Sequence, residues 1–120
     1  MSTRVLVADD SSTMRKIILR SLNAVGVPSA VEAADGEEAV HLFRPGNFDL
    51  VLTNWNMPGK NGLEVTQEIR AQDANIPIIM VTTEAEKSRV LEAIQAGVSD
   101  YLVKPFTADT LREKLEKHGC

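Results

Sequence analysis

Four short runs of almost unbroken apolar residues limit the folds open to this chain: "VLVA" at 5–8, "LVLT" at 50–53, "IIMV" at 78–81 and "YLV" at 101–103. Successive side chains of a strand point to opposite faces, so a strand with one face in water alternates apolar and polar residues. A strand that is apolar at every position is covered on both faces, as in parallel sheets with helices on either side. A fifth segment, "SAVEA" at 29–33, alternates and fits an edge strand.

Amphipathic stretches separate these runs. Residues 12–25 set Met14, Ile17, Ile18, Leu22 and Val25 on one helical stripe, and Gly26 stops the helix. Residues 36–43 predict a short helix. Residues 62–71 bring Val65 over Ile69, and residues 86–96 bring Val90, Leu91 and Ile94 together before Gly97. Residues 108–118 stack Leu111 on Leu115, with Thr107 as N-cap. Strand and helix alternate five times, which predicts an α/β fold with a doubly wound parallel sheet. The 120 residues are expected to form a single domain over 1–120.

Composition narrows the function classes. The net charge is −4 and no Lys/Arg run offers a stripe for phosphates, so no nucleic-acid partner is expected. No apolar segment has membrane-spanning length and no secretory h-region opens the sequence, so a cytoplasmic monomer away from membranes is expected. Cys120, the single cysteine, excludes an internal disulfide or a cysteine metal cluster. His41 and His118 are assigned no chemistry.

In sheets of this kind ligands bind beyond the carboxyl ends of the strands. Asp9 and Asp10 follow the first run, Asn54, Trp55 and Asn56 the third, Thr82, Thr83 and Glu84 the fourth, and Lys104 and Pro105 the fifth. Adjacent acids repel each other unless a cation joins them. Hard carboxylate oxygens beside a carbonyl suit Mg²⁺. The plainer alternative is that Asp10 or Ser11 caps the helix beginning near Ser12. Thr82 offers a hydroxyl and Lys104 an ammonium to one anion, and Lys104-Pro105 is a candidate cis peptide bond. Met57-Pro58-Gly59 reads as a turn. Trp55 reads as a partly exposed side chain beside that loop, and Tyr101 as an edge aromatic on the fourth helix.

Together these groups describe phosphoryl transfer to a carboxylate: a metal to neutralise charge, Lys and Thr to hold phosphate oxygens, and an acid to attack. The attacking acid is missing, because Asn54 stands in its place. An amide oxygen is neutral and a poor nucleophile. It leaves two acids at the edge where three would stand, so metal affinity should fall.

Four segments, "VADDSSTMRKI", "NWNMPGKNG", "MVTTEAEK" and "GVSDYLVKPF", in this order and spacing, resemble response-regulator receiver domains of the stand-alone chemotaxis (CheY-like) type over essentially the whole chain. The resemblance implies a (βα)5 flavodoxin-like sheet of order 2-1-3-4-5, for which such domains are a standard example. It implies that Asp10 binds Mg²⁺ directly and Asp9 through water, with the Asn56 backbone carbonyl as a further ligand. Asn54 falls on the phosphoacceptor position, an aspartate in the family, and can offer only its carbonyl oxygen to the metal. Thr82 and Lys104 are similar to the pair that grips the phosphoryl group, and Tyr101 to the aromatic that follows Thr82 as a switch. Asn56 and Glu84 occupy the positions that tune dephosphorylation. The implied partners are a sensor histidine kinase and, through the fourth helix, fifth strand and fifth helix, a flagellar motor switch protein or a phosphatase.

Three readings of Asn54 follow: an Asp→Asn form that blocks phosphorylation and keeps the fold, a natural pseudo-receiver acting by binding alone, or a protein of another class. The remaining site residues favour the first. Enzymes on similar sheets fit poorly. A flavin carrier wants a glycine- and hydroxyl-rich phosphate loop after the first strand, whereas "DDSSTMRK" has no glycine and begins with acids. An aspartyl phosphatase wants its acids two apart, and no glycine-rich lysine loop of a P-loop enzyme is present. No enzyme is therefore expected.

Overall fold

The computed structural model describes residues 3–83 and 87–120, with the side chains of residues 87 and 88 excepted. Strands β1 (Arg4–Ala8), β2 (Ser29–Ala33), β3 (Leu50–Thr53), β4 (Ile78–Thr82) and β5 (Asp100–Val103) alternate with helices α1 (Ser12–Ala24), α2 (Gly36–Leu42), α3 (Gly62–Gln72), α4 (Lys87–Ala96) and α5 (Ala108–Lys117). All strand pairs are parallel and the order is β2-β1-β3-β4-β5. The chain reverses direction across the sheet between β1 and β3, which places the switch point between their carboxyl ends.

Three of the four apolar runs, in β1, β3 and β4, are strands buried on both faces, whereas the fourth lies in the edge strand β5 and leaves Val103 42% exposed, because no further strand among the described residues covers that edge. Along β1, Val5 and Val7 face one core while Leu6 and Ala8 face the other. The first core packs Ile18 and Leu22 of α1 and Leu111 and Leu115 of α5 onto Leu50, Leu52, Ile79 and Val81. The second packs Val65 and Ile69 of α3 and Ala93 of α4 onto Val51, Ile78 and Met80. Each fully buried aliphatic side chain contributes about 1.5–3 kcal/mol through the water it excludes. Edge strand β2 is half-buried, as its alternation predicts.

Local signals set the helix starts. The Ser11 side chain accepts from the Met14 amide and Thr107 accepts from the Thr110 amide, so Ser11 and not Asp10 caps α1. Asn61 and Glu64 form a capping box at α3. Gly26 ends α1 with φ of 85°, a conformation that favours glycine.

Two helices turn differently from the sequence expectation. Ile17 is 42% exposed and lies off the buried stripe of α1. On α4, Leu91 and Ile94 face outward, 51% and 55% exposed, while Ala93 is buried. The apolar spacing of α4 permits two overlapping faces, and the one chosen carries Ala93 and leads to Gly97. A Cβ at Gly97 would lie 2.8 Å from the Arg70 Cγ. Small residues let this side approach its neighbours closely, and the larger ones are left outside.

Two contacts hold the ends of the strands. A Cβ on Gly62 would collide with the Asn54 carbonyl oxygen and come within 2.9 Å of the Met80 sulfur, so α3 can begin only with glycine against this loop. At the other end of β5, the Asp100 carboxylate receives the Tyr101 amide at 2.7 Å, Lys114 Nζ at 2.9 Å and His118 Nε2 at 2.8 Å. Burial alone pushes the Asp100 pKa up. The hydrogen bonds from Lys114, His118 and the Tyr101 amide, with the Lys114 charge, outweigh burial and hold it down to about 2 from 3.8.

Replacing Gly62 by Ala is expected to cost about 1–3 kcal/mol in urea unfolding, because backbone must move. A carboxylate with a depressed folded-state pKa stabilises the fold above its unfolded value, and the contribution disappears as pH falls through the folded value. The Asp100 difference corresponds to about 2 kcal/mol. Asp100→Asn should therefore lose about that much at pH 7, with the gap to the parent closing between about pH 4 and pH 2.

Candidate functional site

The carboxyl ends of β1, β3 and β5 meet at one lysine. Lys104 leaves β5 with its amide donating to the Thr82 carbonyl at 2.9 Å, and the Lys104-Pro105 bond is cis. Lys104 Nζ lies 3.0 Å from Asp9 Oδ2 and 3.3 Å from Asn54 Oδ1. Its side chain is 14% exposed, so these contacts are largely out of water.

Asp9 is buried and every polar group it has is engaged. Its amide donates to the Ala33 carbonyl, its carbonyl accepts from Arg15, Oδ1 accepts from the Ser11 amide and Oδ2 from Lys104. Asp10 is exposed, and its carboxylate is in none of the hydrogen bonds among the described residues. The two acids therefore differ: Asp9 is fixed structure, and Asp10 is open to a ligand.

Asn54 follows β3, with its amide donating to the Ala8 carbonyl at 2.8 Å. Its side chain bridges two groups of opposite character. Oδ1 faces the Lys104 ammonium, and Nδ2 donates to the Asn56 carbonyl at 2.9 Å. A carbonyl needs a donor and an ammonium needs an acceptor, which fixes the amide in this orientation. The amide NH₂ thus holds the carbonyl that the sequence reading offers to a metal.

Trp55 is 2% exposed and belongs to the core, in place of the partly exposed position expected from the sequence. The Gly62 amide donates to its carbonyl at 2.7 Å and folds the loop back, which drives the indole inward. The Arg89 guanidinium lies 5.1 Å from the ring centroid, a cation–π contact joining α4 to this loop. Thr82, buried at the end of β4, pairs with Val103 across the sheet. Tyr101 is half-buried against the core on the α4 side. Glu84 lies outside the described residues.

The structure thus gathers Asp9, Asn54 and Lys104 by direct contact, and Asn56 through Asn54. Asp10 sits beside them, with Thr82 on the neighbouring strand end and Tyr101 further along β5. Sequence reasoning missed Arg15, Glu32 and Arg89. Arg15 carried one signal: a cation near the N-terminus of a helix opposes the helix dipole, a cost that an acceptor outside the helix offsets. His118, given no chemistry, is a structural partner of Asp100. A cleft of about 340 Å³ opens on the Lys104 side, lined by Met14, Ile17, Thr83, Pro105 and Phe106.

The donor set fits Mg²⁺, which takes one or two carboxylates and keeps several waters. Among the described residues no group of three His, Cys, Asp or Glu side chains converges. No helix among the described residues is long and apolar enough to cross a membrane.

Comparison with known proteins agrees with this arrangement. The response regulator receiver domain family matches residues 5–116. The chemotaxis protein CheY of Pseudomonas aeruginosa is 46% identical over 116 residues, covering 95% of this chain and 94% of that protein. CheY-3 of Vibrio cholerae is also 46% identical over 116 residues, covering 95% and 89%. Among solved structures, Vibrio cholerae CheY4 superposes with a TM-score of 0.89 at 33% identity over 98% of both chains. The Francisella response regulator 1452 receiver domain gives 0.87 at 30% identity, over 98% of this chain and 96% of that one. A five-stranded parallel sheet with this switch point, together with kinship over nearly the whole length, identifies the chain as a member of the response regulator receiver family, of the stand-alone CheY-like chemotaxis type.

Proposed function

We propose that this chain is a cytoplasmic two-component receiver held in its unphosphorylated form by an amide at the phosphoacceptor position, Asn54. The observation that carries the reading is the double engagement of that amide by Lys104 and by the Asn56 carbonyl. In a receiver with aspartate here, a carboxylate oxygen attacks the donor phosphorus, the phosphorus–nitrogen bond to the kinase histidine breaks, and a phosphorus–oxygen bond forms. Lys104 is placed to take a phosphoryl oxygen, and Thr82 on the adjacent strand end is its partner in that role. Asn54 has no charge with which to attack, and its lone pairs are committed to amide resonance and to Lys104.

Asp9, Asp10, Asn54 and the Asn56 carbonyl are the residues that would hold Mg²⁺. The ion supplies positive charge against the oxygens of the transferring group. In its absence the amide NH₂ supplies the donor that the Asn56 carbonyl requires. With aspartate at position 54 two oxygens would face each other there, and a cation would be needed between them.

Phosphorylation acts in such a domain as a population shift, in which Thr82 and then Tyr101 move and the partner face changes. Leu91 and Ile94 of α4 and Val103 of β5 expose apolar surface on that face, which suits a protein partner. The partners proposed are a chemotaxis-type sensor histidine kinase, and a flagellar motor switch protein or phosphatase on the α4–β5–α5 face. Asn56 and Glu84 are proposed to tune dephosphorylation. Without the trigger, the chain's contribution is binding alone.

Trp55, beside position 54 and shielded from water, reports on this site. Its emission is expected to respond to Mg²⁺ plus acetyl phosphate in Asn54→Asp and to stay unchanged by the donor in the parent. An equal response in both, or in neither, would contradict the reading. Thermal unfolding supplies a second test. In chelator, Asn54→Asp should be less stable than the parent by about 0.5–1.5 kcal/mol, the net worth of the exposed hydrogen bond from Asn54 Nδ2 to the Asn56 carbonyl. Saturating Mg²⁺ should close that gap by mass action and leave the parent nearly unmoved.

A further inference from the structure

The acidic pair is braced from the edge of the sheet by a residue that belongs to neither strand. Arg15, in the first turn of α1, donates from Nη1 to the Asp9 carbonyl at 2.7 Å and from Nε to Glu32 Oε1 at 3.0 Å. Its side chain is only 16% exposed, whereas Glu32 is 44% exposed. An exposed Arg–Glu pair alone would be an ordinary surface contact. Here the guanidinium spends its second arm on main chain inside the acidic loop. A planar fork can reach a carboxylate and a carbonyl at once, which a lysine ammonium on its flexible stem does not reproduce.

The carbonyl that Arg15 grips belongs to the peptide joining Asp9 to Asp10. The amide of Asp9 is already tied to Ala33 on β2, and its carboxylate to the Ser11 amide and Lys104. Fixing the carbonyl sets the plane of the Asp9–Asp10 peptide, and with it the position of the Asp10 Cα from which the side chain leaves the backbone. Asp10 is exposed, and its carboxylate makes none of the hydrogen bonds or ion pairs among the described residues.

We infer that Arg15, oriented by Glu32, is the positioning residue of the acidic loop and aims the Asp10 carboxylate at the cation site. This rests on the reading of Asp9 and Asp10 as cation ligands. It adds the residue that prepares them before any ion arrives, in the way outer partners of metal ligands set ligand direction.

The test uses Asn54→Asp as parent, with Mg²⁺ affinity followed by Trp55 emission and the Ser11 amide followed by hydrogen exchange without metal. Arg15→Ala should weaken Mg²⁺ binding about tenfold. Phosphorylation by acetyl phosphate at saturating Mg²⁺ should stay within about twofold, since Arg15 touches no reacting atom. In the metal-free protein the Ser11 amide should exchange faster, because its acceptor loop is loosened. Arg15→Lys should recover little of the affinity, and Glu32→Gln should move it in the same direction as Arg15→Ala. Lys16→Ala, which removes an equal charge from the exposed side of α1, should leave affinity unchanged.

Unaltered or raised affinity in Arg15→Ala overturns the inference, since removing a positive charge alone would favour a cation, as does full affinity in Arg15→Lys or an equal loss in Lys16→Ala, which would mean an effect not specific to Arg15. Should Arg15→Ala fail to fold, Arg15→Lys and Glu32→Gln decide by the same criteria. If the Asn54→Asp parent itself binds no Mg²⁺, the reading of the acidic pair fails, a result separate from any effect of Arg15.

Discussion

The Lys104 ammonium is the contact on which the functional edge depends. It joins the end of β5 to Asp9, 95 residues earlier, and to Asn54. A buried carboxylate beside an exposed one would be costly without a cation nearby. Lys104 supplies that cation from the chain itself, and Asp9 answers it with an oxygen held in place by three further hydrogen bonds. The strands bring these groups within reach, and the two cores hold the strands. Position 54 sits between them and meets a positive charge on one side and a bare carbonyl on the other.

An amide suits that position in the resting state. It presents oxygen to the lysine and hydrogen to the carbonyl, so it satisfies both without an ion. In the proposed reading the same property removes the chemistry, because the group that satisfies the site carries no charge for attack. In this reading the chain keeps a receiver's fold, its cation-binding acids and its outward apolar face, and lacks the event that would connect them. The Arg89–Trp55 contact is a physical link between the loop after β3 and helix α4, and so between the site and that face.

Much of this was legible in the sequence, for identifiable reasons. Strands buried on both faces have almost no polar positions, so "VLVA", "LVLT" and "IIMV" could hardly be misread. The strand ends followed directly, and with them the acids, Asn54, Thr82 and Lys104. What stayed hidden depended on tertiary geometry. That Lys104 pairs with Asp9, and that Trp55 turns inward, are set by the sheet register and by the loop closing on Gly62. The outward Leu91 and Ile94 show that an apolar stripe does not fix which helical face is buried when a small residue such as Ala93 allows closer packing. Arg15 looked like one more cation among the residues of α1, and only the fold shows that it reaches the Asp9 carbonyl.

The most direct measurement of the central claim is intact-protein mass spectrometry after incubation with Mg²⁺ and acetyl phosphate, on this chain and on Asn54→Asp. The account predicts one base-labile phosphoryl group on the aspartate form, at position 54, and none on the asparagine form. A phosphoryl group on the asparagine form, or none on either, would contradict it.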